Sequence, residues 1–378
     1  MRKAFICPGK YVQGEDELLN LGFFVSTYGK SALLIAHKDD VARVKKQLDE
    51  TAKNYQIEFV ESNFGGECSR QEIARLQALA KENKCACTIG LGGGKAIDTA
   101  KCVAEGENLI IVPTIAATDA PTSHSAVIYT EDGAFEDYAY FKNSPSVVLI
   151  DTKVIAKAPT RFLVSGMGDA LSTYFEARAT QMAYGKVNAG LPCGVTAGKT
   201  KPVVGTKTAM ALATLCYETL LEEGAKAKAA NDAKMVSPAL ENIIEANILL
   251  SGLGFESGGL AAAHAIHNGL TVLPGAHKMY HGEKVAFGTL VQLVLENAPE
   301  EEIYEVIDFC LSVGLPVCLE DIGVDSISEE ELKEVSEKSC LPEESIHNMP
   351  FPVKPEDVAA AIMIADRIGR EAKGGCCC

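Results

Sequence analysis

Apolar and polar positions follow two different patterns over the first 158 residues. Apolar residues that recur at helical spacing predict helices over 39–53, 69–83 and 94–104. Short continuous apolar runs between them predict strands at 31–36, 56–60, 87–90, 109–112, 127–129 and 146–150. Strands that alternate with helices indicate a parallel sheet covered by helices on both faces, as in an α/β dinucleotide-binding domain.

Beyond residue 158 the pattern becomes almost entirely helical. Periodic segments predict helices at 208–223, 240–253, 282–295, 300–315, 329–340 and 356–372. We therefore expect an α/β N-terminal domain over 1–158 and an all-α C-terminal domain over 159–378. Residues 183–204, rich in Gly, Pro, Lys and Thr, are expected to form an exposed loop.

Composition narrows the class of protein. With 378 residues, 47% of them hydrophobic, the chain is long enough for two domains and a large core. A net charge of −16 argues against a nucleic-acid partner. No apolar stretch is long enough to span a membrane, and the N-terminal residues do not resemble a signal peptide. The thirteen scattered cysteines suggest reduced thiols, and hence a cytoplasmic protein.

A glycine-rich turn follows the strand at 87–90. The order strand, Gly92-Gly93-Gly94-Lys95, helix places flexible backbone at a helix N-terminus, where unpaired N–H groups favour a phosphate. A pyrophosphate is the natural ligand, although the same residues could also form a tight turn that binds no ligand. Ala96 stands where a Walker A loop would need Ser or Thr, so we exclude that motif.

The next strand leads into a long polar loop over 113–125. Ligands of open α/β sheets bind at this edge, where the strands end. Asp119 lies there between small residues and prolines. Its carboxylate could orient a substrate hydroxyl, or it could only stabilise the loop as an Asx turn.

Four of the seven histidines lie within 264–281. His264 and His267, three residues apart, share a face of one helix, and His281 is expected to begin the next helix after a break at 274–275. Asp169 stands upstream in an apparent Gly-Met-Gly-Asp turn. A carboxylate and imidazoles around an open position are typical of catalytic zinc, but histidines on an apolar face can also be plain core residues. His277 is expected on a loop surface.

Several long motifs together resemble the glycerol dehydrogenases of the iron-containing alcohol dehydrogenase family. They are residues 92–101, 118–123, 166–178, 263–269 and 281–291, and the similarity runs essentially end to end. The resemblance implies the dehydroquinate synthase-like architecture and a zinc ion on Asp169, His264 and His281. It places Asp119 against the polyol. His267 could orient the metal site, relay a proton, or serve only in helix packing. NAD would bind at Gly92, Gly93, Gly94, Lys95, Asp98, Thr114, Ala117, Ser123, Ser125, Val127 and Tyr129.

Two positions depart from the wider family pattern. Iron-type members carry a histidine four residues after the metal aspartate, where this chain has Thr173, so three ligands and zinc are expected. His37-Lys38 stand where glycerol dehydrogenases usually have an acidic residue for the adenosine ribose. An acidic side chain disfavours the 2′-phosphate of NADP, which His and Lys would tolerate. Asp39 or Asp40 could still supply the carboxylate, so we expect NAD and keep NADP as an alternative.

The resemblance implies reversible, zinc-assisted oxidation of glycerol or a related vicinal diol to the hydroxyketone, with glycerol giving dihydroxyacetone. An NADP-accepting reductase, a non-redox NAD- and zinc-dependent sugar-phosphate cyclase and a metal-free binding protein are the alternatives. His124 could face the cofactor or solvent. A small polyol is the expected partner, with no nucleic acid and no membrane, and family members suggest a homo-oligomer such as a ring-like octamer.

Overall fold

A computed structural model describes residues 1–190 and 202–374. Its strands are β1 (Arg2–Lys3), β2 (Tyr11–Gly14), β3 (Ser31–Ile35), β4 (Glu58–Glu61), β5 (Cys87–Gly92), β6 (Leu109–Pro113), β7 (Ser125–Tyr129), β8 (Phe135–Tyr140), β9 (Val147–Asp151) and β10 (Val203–Val204). Its first five helices are α1 (Leu21–Ser26), α2 (Lys38–Tyr55), α3 (Arg70–Glu82), α4 (Gly94–Ala104) and α5 (Thr152–Ala156).

The later helices form most of the remaining described chain. They are α6 (Thr160–Ala183), α7 (Lys207–Asp232), α8 (Pro238–Glu245), α9 (Ser251–Gly258), α10 (Ala262–Leu270), α11 (His281–Leu295), α12 (Glu300–Val313), α13 (Glu329–Ser339) and α14 (Pro355–Gly374). A parallel-sheet α/β region thus precedes a helical region, as the sequence pattern predicts.

A six-stranded parallel sheet with the order β2-β9-β6-β5-β3-β4 forms the centre of the N-terminal part. Alternate residues of β3 enter different cores: Ala32 and Leu34 pack towards α1 and α2, whereas Leu33 and Ile35 join the core on the other face. Both faces are therefore buried, which explains the continuous apolar runs. β4 lies on one side of β3, and β5 lies on the other, so the order of the strands reverses between β3 and β5. Sheets of this kind bind ligands at the carboxyl ends of the strands where the order reverses.

The strands without apolar runs escaped the sequence prediction. β2 is a half-buried edge strand, and β8 forms an antiparallel hairpin with β7 whose side chains are mostly exposed. Neither strand needs the apolar residues that mark a buried strand. The predicted strands and helices are present, with ends shifted by a few residues for most and by nine at the C-terminal end of α7.

A wide, π-helical turn over Ala246–Leu250 joins α8 to α9, where the sequence predicts one regular helix. The Asn247 amide Nδ2 donates to the carbonyl oxygens of Ala116 and Leu163, each at 3.0 Å. Thr122 Oγ1 donates to the Ile248 carbonyl oxygen at 3.2 Å. The wide turn therefore joins the helical region to the polar loop that follows β6.

Two local predictions need correction. The Gly166–Asp169 segment is not a turn but lies inside α6, where glycines let other backbone segments approach the helix closely. The predicted exposed loop at 183–204 includes buried Ala189 and Gly190, and β10 pairs with β1. Residues 191–201 of that loop lie outside the described residues.

One cluster of buried residues extends from the sheet into the helices. The predicted domain boundary at 158/159 falls just before α6 begins at Thr160 and remains a prediction. Within the part of the chain that the structure describes, no helix combines the length and apolar character needed to cross a membrane.

Candidate metal and dinucleotide site

Three helices bring Asp169, His264 and His281 together. Asp169 lies in the middle of α6, His264 in the first turn of α10, and His281 is the first residue of α11, as predicted. A Cβ on Gly168 would lie 2.3 Å from the carbonyl oxygen of Gly282, so only glycine permits α6 and α11 to touch here. This close approach places His281 beside Asp169.

The three side chains present their ligand atoms to one point. His281 Nε2 lies 3.0 Å and His264 Nε2 3.4 Å from Asp169 Oδ1. Asp169 is buried, yet its Oδ1 makes no well-aligned hydrogen bond within the described residues. Of the His, Cys, Asp and Glu side chains in those residues, these three form a group whose ligand atoms all lie within 4.8 Å of one another. A buried carboxylate oxygen facing two imidazole nitrogens fits a metal ion.

Electrostatics support an ionised Asp169. Burial alone would raise its pKa, but positive charge on His281 and His264 outweighs burial and holds the pKa of Asp169 well below its usual value. Burial also opposes charge on His264, whereas Glu176 and Asp169 raise the pKa of His264 well above normal. A proton and a metal ion compete for the same ring nitrogen, so we expect metal affinity to fall in acid.

Glu176, which sequence reasoning missed, orients His264. Its Oε2 accepts the His264 Nδ1 hydrogen at 2.6 Å, and its Oε1 accepts the backbone N–H groups of Ala261 and His264 at 2.8 and 3.0 Å. Glu176 is fully buried. The Nδ1–H tautomer leaves Nε2 free for a metal ion, which is the usual task of a carboxylate behind a metal-bound histidine. Its position seven residues after Asp169 on α6 is the signal that could have revealed it.

His267 packs against the metal group instead of joining it. Its Nε2 lies 3.1 Å from His281 Nδ1, and burial, together with His281 and Lys284, lowers the pKa of His267 well below normal. This contact with a ligand residue fits an orienting role, and the role of His267 remains a prediction.

Asp119 lies beside the metal group. Its backbone N–H donates to Asp169 Oδ2 at 3.3 Å, and its Oδ2 accepts the Ser251 hydroxyl at 2.7 Å. The Ser251 hydroxyl also lies 2.9 Å from the hydroxyl of Thr173. Thr173 therefore bonds to Ser251 and does not join the metal group. Burial and the charge of Asp169 raise the pKa of Asp119 well above its usual value. The carboxyl group is held by helix α9 and not by an Asx turn.

The glycine turn has the form expected of an anion site. Gly92 ends β5 with a φ of +145°, a conformation that side chains rarely permit, and Gly93 caps α4. A Cβ on Gly94 would meet nothing within 4 Å, so this face of the helix N-terminus is open. Lys95 pairs with Glu67 at 2.5 Å and lies 5.3 Å from the Tyr129 ring centre. The turn, Lys95 and Tyr129 therefore share one surface.

Other predicted cofactor residues are turned inward. Asp98 is buried and accepts from the Val127 backbone N–H at 3.0 Å and from Lys101 Nζ at 3.3 Å. Lys101 also donates to Ser123 Oγ and the Ser125 carbonyl oxygen, each at 2.8 Å. In these contacts Asp98 and Ser123 hold the loop in place, and their direct contact with a cofactor remains a prediction.

A carboxylate lies near the position of His37 and Lys38, where relatives usually have an acidic residue. His37 and Lys38 are exposed, and His37 caps α2. Asp40 points the other way: its Oδ1 accepts the Thr114 hydroxyl at 2.9 Å, and its Oδ2 would lie 3.3 Å from a Cβ on Gly92. Of the acidic residues that the sequence offers here, Asp40 is the one that borders the glycine turn.

A short loop connects the glycine turn to the metal group. Thr114 N–H donates to the Gly92 carbonyl oxygen at 3.0 Å at one end, and Asp119 N–H donates to Asp169 at the other. Five residues of extended chain span at most roughly 18 Å. Between these ends the Ala117 carbonyl oxygen accepts from Ser165 of α6 at 3.4 Å. The glycine turn and the metal group thus lie at the two ends of one short loop.

Two other histidines lie away from the metal group. His277 is exposed, as predicted, and its Nε2 lies 3.0 Å from the Thr271 carbonyl oxygen. His124 does not face solvent, which corrects that part of the prediction: it is buried with its Nδ1 2.5 Å from Glu256 Oε1. Burial follows because the loop packs directly on α9.

Comparison with known proteins agrees with this arrangement. The sequence profile described as iron-containing alcohol dehydrogenase matches residues 8–152. A glycerol dehydrogenase of Thermotoga maritima is 50% identical, over 97% of this chain and 98% of that protein. A glycolaldehyde reductase of Halobacterium salinarum is 43% identical, over 99% and 100%.

A solved structure shows the same architecture. The crystal structure of glycerol dehydrogenase from Schizosaccharomyces pombe superposes with a TM-score of 0.90 at 38% identity, covering 98% of this chain and 91% of that one. Full-length similarity at this level establishes the family. The chain belongs to the iron-containing alcohol dehydrogenase family, close to the members named glycerol dehydrogenase.

Proposed function

We propose that this chain is a zinc- and NAD-dependent dehydrogenase that reversibly oxidises glycerol, or a related vicinal diol, to the hydroxyketone. The observation that carries the proposal is the loop from Thr114 to Asp119, which begins at the glycine turn and ends at the metal group. A cofactor that extends from the first site along this loop would bring its reactive end towards a diol at the second. The relatives named glycerol dehydrogenase support glycerol as substrate.

In this proposal Asp169, His264 and His281 hold the zinc, and Gly92 to Gly94 hold the cofactor pyrophosphate. When bound, zinc supplies Lewis acidity that lowers the pKa of a substrate hydroxyl, and NAD accepts the hydride. Glu176 keeps His264 in its ligand tautomer. Asp119, fixed by Ser251, would receive a further hydroxyl of the polyol and so favour glycerol over simple alcohols.

NAD is proposed over NADP because of Asp40. Its carboxylate borders Gly92 and Thr114, where it would accept a ribose hydroxyl and repel a 2′-phosphate. We retain a cytoplasmic location and a homo-oligomer as further proposals. Light scattering after size-exclusion chromatography tests the oligomeric state.

Incubation of the purified protein with glycerol, 1,2-propanediol or 2,3-butanediol tests the reaction. We expect NADH absorbance to rise with NAD, the rise to stop when chelation removes zinc, and the rise to resume when zinc is restored. A non-redox cyclase would leave no net NADH, and equal turnover with NADP would overturn the cofactor choice. Reduction of glycolaldehyde belongs in the same assay because a relative carries that activity in its name.

Asp169→Asn identifies the metal centre. The variant keeps size and polarity but loses the buried charge between two imidazoles, so we expect loss of zinc and of turnover with the fold intact. Asp325→Asn, an exposed residue, is the matched control. Normal zinc content and activity in Asp169→Asn would remove this residue from the site.

A further inference from the structure

A line of polar side chains continues beyond the metal group. His281 Nδ1 lies 3.1 Å from His267 Nε2, and His267 Nδ1 lies 3.0 Å from Asn268 Oδ1. The Asn268 amide Nδ2 in turn donates to both carboxylate oxygens of Glu344, at 2.9 and 3.2 Å. Glu344 immediately precedes the short helical turn Ser345–Asn348 and offers no atom to the metal group.

The donors and acceptors along this line of side chains can be arranged in only one order. A carboxylate only accepts, so Glu344 fixes the NH2 side of Asn268 and turns its carbonyl oxygen towards His267. That oxygen also only accepts, so His267 must carry its hydrogen on Nδ1. In neutral His267 the Nε2 atom is then an acceptor.

The consequence falls on His281. Its Nδ1 must donate to His267, so in neutral His281 the Nε2 atom carries no hydrogen and keeps its lone pair, 3.0 Å from Asp169 Oδ1. This is the tautomer that binds a metal ion. His267 is buried, and Asn268 and Glu344 are half-buried.

We propose that Asn268 and Glu344 are positioning residues that set the metal-binding tautomer of His281 through His267. The inference rests on the zinc centre of the proposed function. Glu176 contacts His264 directly, whereas Glu344 acts on His281 through Asn268 and His267. Each histidine ligand would therefore be oriented by its own carboxylate.

Zinc affinity of the full-length protein, measured by competition with a chelator, tests the proposal. Asn268→Leu removes both the amide donor and the carbonyl oxygen, and we expect zinc to bind about 10- to 100-fold more weakly. Glu344→Gln keeps the shape but no longer dictates the amide orientation, and we expect about tenfold weaker binding. Glu343→Gln, an exposed neighbour with the same change of charge, should bind zinc like the wild type.

A spectroscopic signature separates positioning from general loosening. The visible absorption of the cobalt-substituted protein depends on the ligands, so Asn268→Leu and Glu344→Gln should shift it while Glu343→Gln does not. If Asn268→Leu fails to fold, Glu344→Gln alone decides the question.

The outcomes distinguish this proposal from the function on which it rests. Wild-type protein that binds no stoichiometric zinc, or an Asp169→Asn variant that binds it equally well, would refute the metal centre itself. Wild-type zinc affinity and an unshifted cobalt spectrum in both Asn268→Leu and Glu344→Gln, with zinc lost in Asp169→Asn, would overturn only the positioning role.

Discussion

His124 and Glu256 join the loop after β6 to helix α9 through one carboxylate oxygen. Glu256 Oε1 accepts the backbone N–H of His124 at 2.8 Å and lies 2.5 Å from the ring Nδ1. Both side chains are fully buried, whereas Nε2 of His124 and Oε2 of Glu256 make no hydrogen bond within the described residues. The contact fixes the loop that carries Asp119 onto the helical region.

Removing the ring should therefore destabilise the protein. In His124→Ala the buried Glu256 carboxylate loses its side-chain partner, and an unsatisfied buried group costs about 1–3 kcal/mol. We expect a loss of this size in the free energy of unfolding, measured by urea denaturation. His277→Ala, an exposed histidine, is the control, and an unchanged denaturation midpoint in His124→Ala would contradict the contact's importance.

Two glycines of the same strand and turn should respond in opposite ways to alanine. Gly94→Ala places a methyl group in open space at the proposed pyrophosphate site, so we expect an unchanged melting temperature but NADH affinity reduced about tenfold, or about 1.4 kcal/mol. Fluorescence titration with NADH measures the affinity. Wild-type binding would show that the pyrophosphate lies elsewhere.

Gly90→Ala is the converse case. Its Cβ would lie 2.7 Å from the Cβ of Ala100 and 3.3 Å from the Cα of Ile97, so helix and strand would have to separate. We expect a loss of about 1–3 kcal/mol in the free energy of unfolding. A variant as stable as the wild type would show that α4 can move aside.

Asp40→Asn should weaken discrimination between the two nicotinamide cofactors. Loss of the carboxylate beside Gly92 removes repulsion of a 2′-phosphate, and we expect the ratio of kcat/KM for NAD over NADP to fall about tenfold. Asp39→Asn, whose side chain is 78% exposed, should leave that ratio unchanged. Equal ratios in the two variants would assign the choice of cofactor to other residues.

The Asp321–Lys373 pair should contribute a pH-dependent stability. Burial raises the pKa of Asp321, but hydrogen bonds from Lys373 and the Val317 backbone N–H outweigh burial and lower this pKa below normal. A carboxyl whose pKa is lower in the folded state stabilises the fold above its unfolded pKa of about 3.9. That stability is lost as the pH falls through the folded pKa.

Asp321→Asn should accordingly lower the free energy of unfolding by about 0.5–1 kcal/mol at neutral pH. The difference from wild type should shrink below about pH 4. Urea denaturation at several pH values measures it. A constant difference across that range would mean that charge is not its source.

Local signals in the sequence were sufficient for the parallel sheet and for the start of α11. Residues 109–112 must be apolar because β6 is buried on both faces, and the Pro274–Gly275 break stands between the helix of His264 and the helix that His281 begins. Such signals depend on neighbours in the chain, so one sequence displays them.

The parts of the site that the sequence did not predict depend on which helices pack against one another. The place of Asp169 inside α6, the carboxylate of Glu176 behind His264, and the turning of His124 towards α9 all follow from contacts between distant segments. Helical periodicity reveals a buried face but not its partner. The family resemblance supplied the metal ligands, whereas the residues behind them became visible only in the packed structure.

The wide turn at Ala246–Leu250 has a consequence for how this region can vary. Deleting one residue there would restore regular α-helix and close the wide turn, because the extra residue is what widens it. Asn247 and Ile248 would then lose the placement that joins them to Ala116, Leu163 and Thr122. We expect evolution to preserve both Asn247 and the length of this segment, since a single gap would separate the loop that carries Asp119 from the helices behind it.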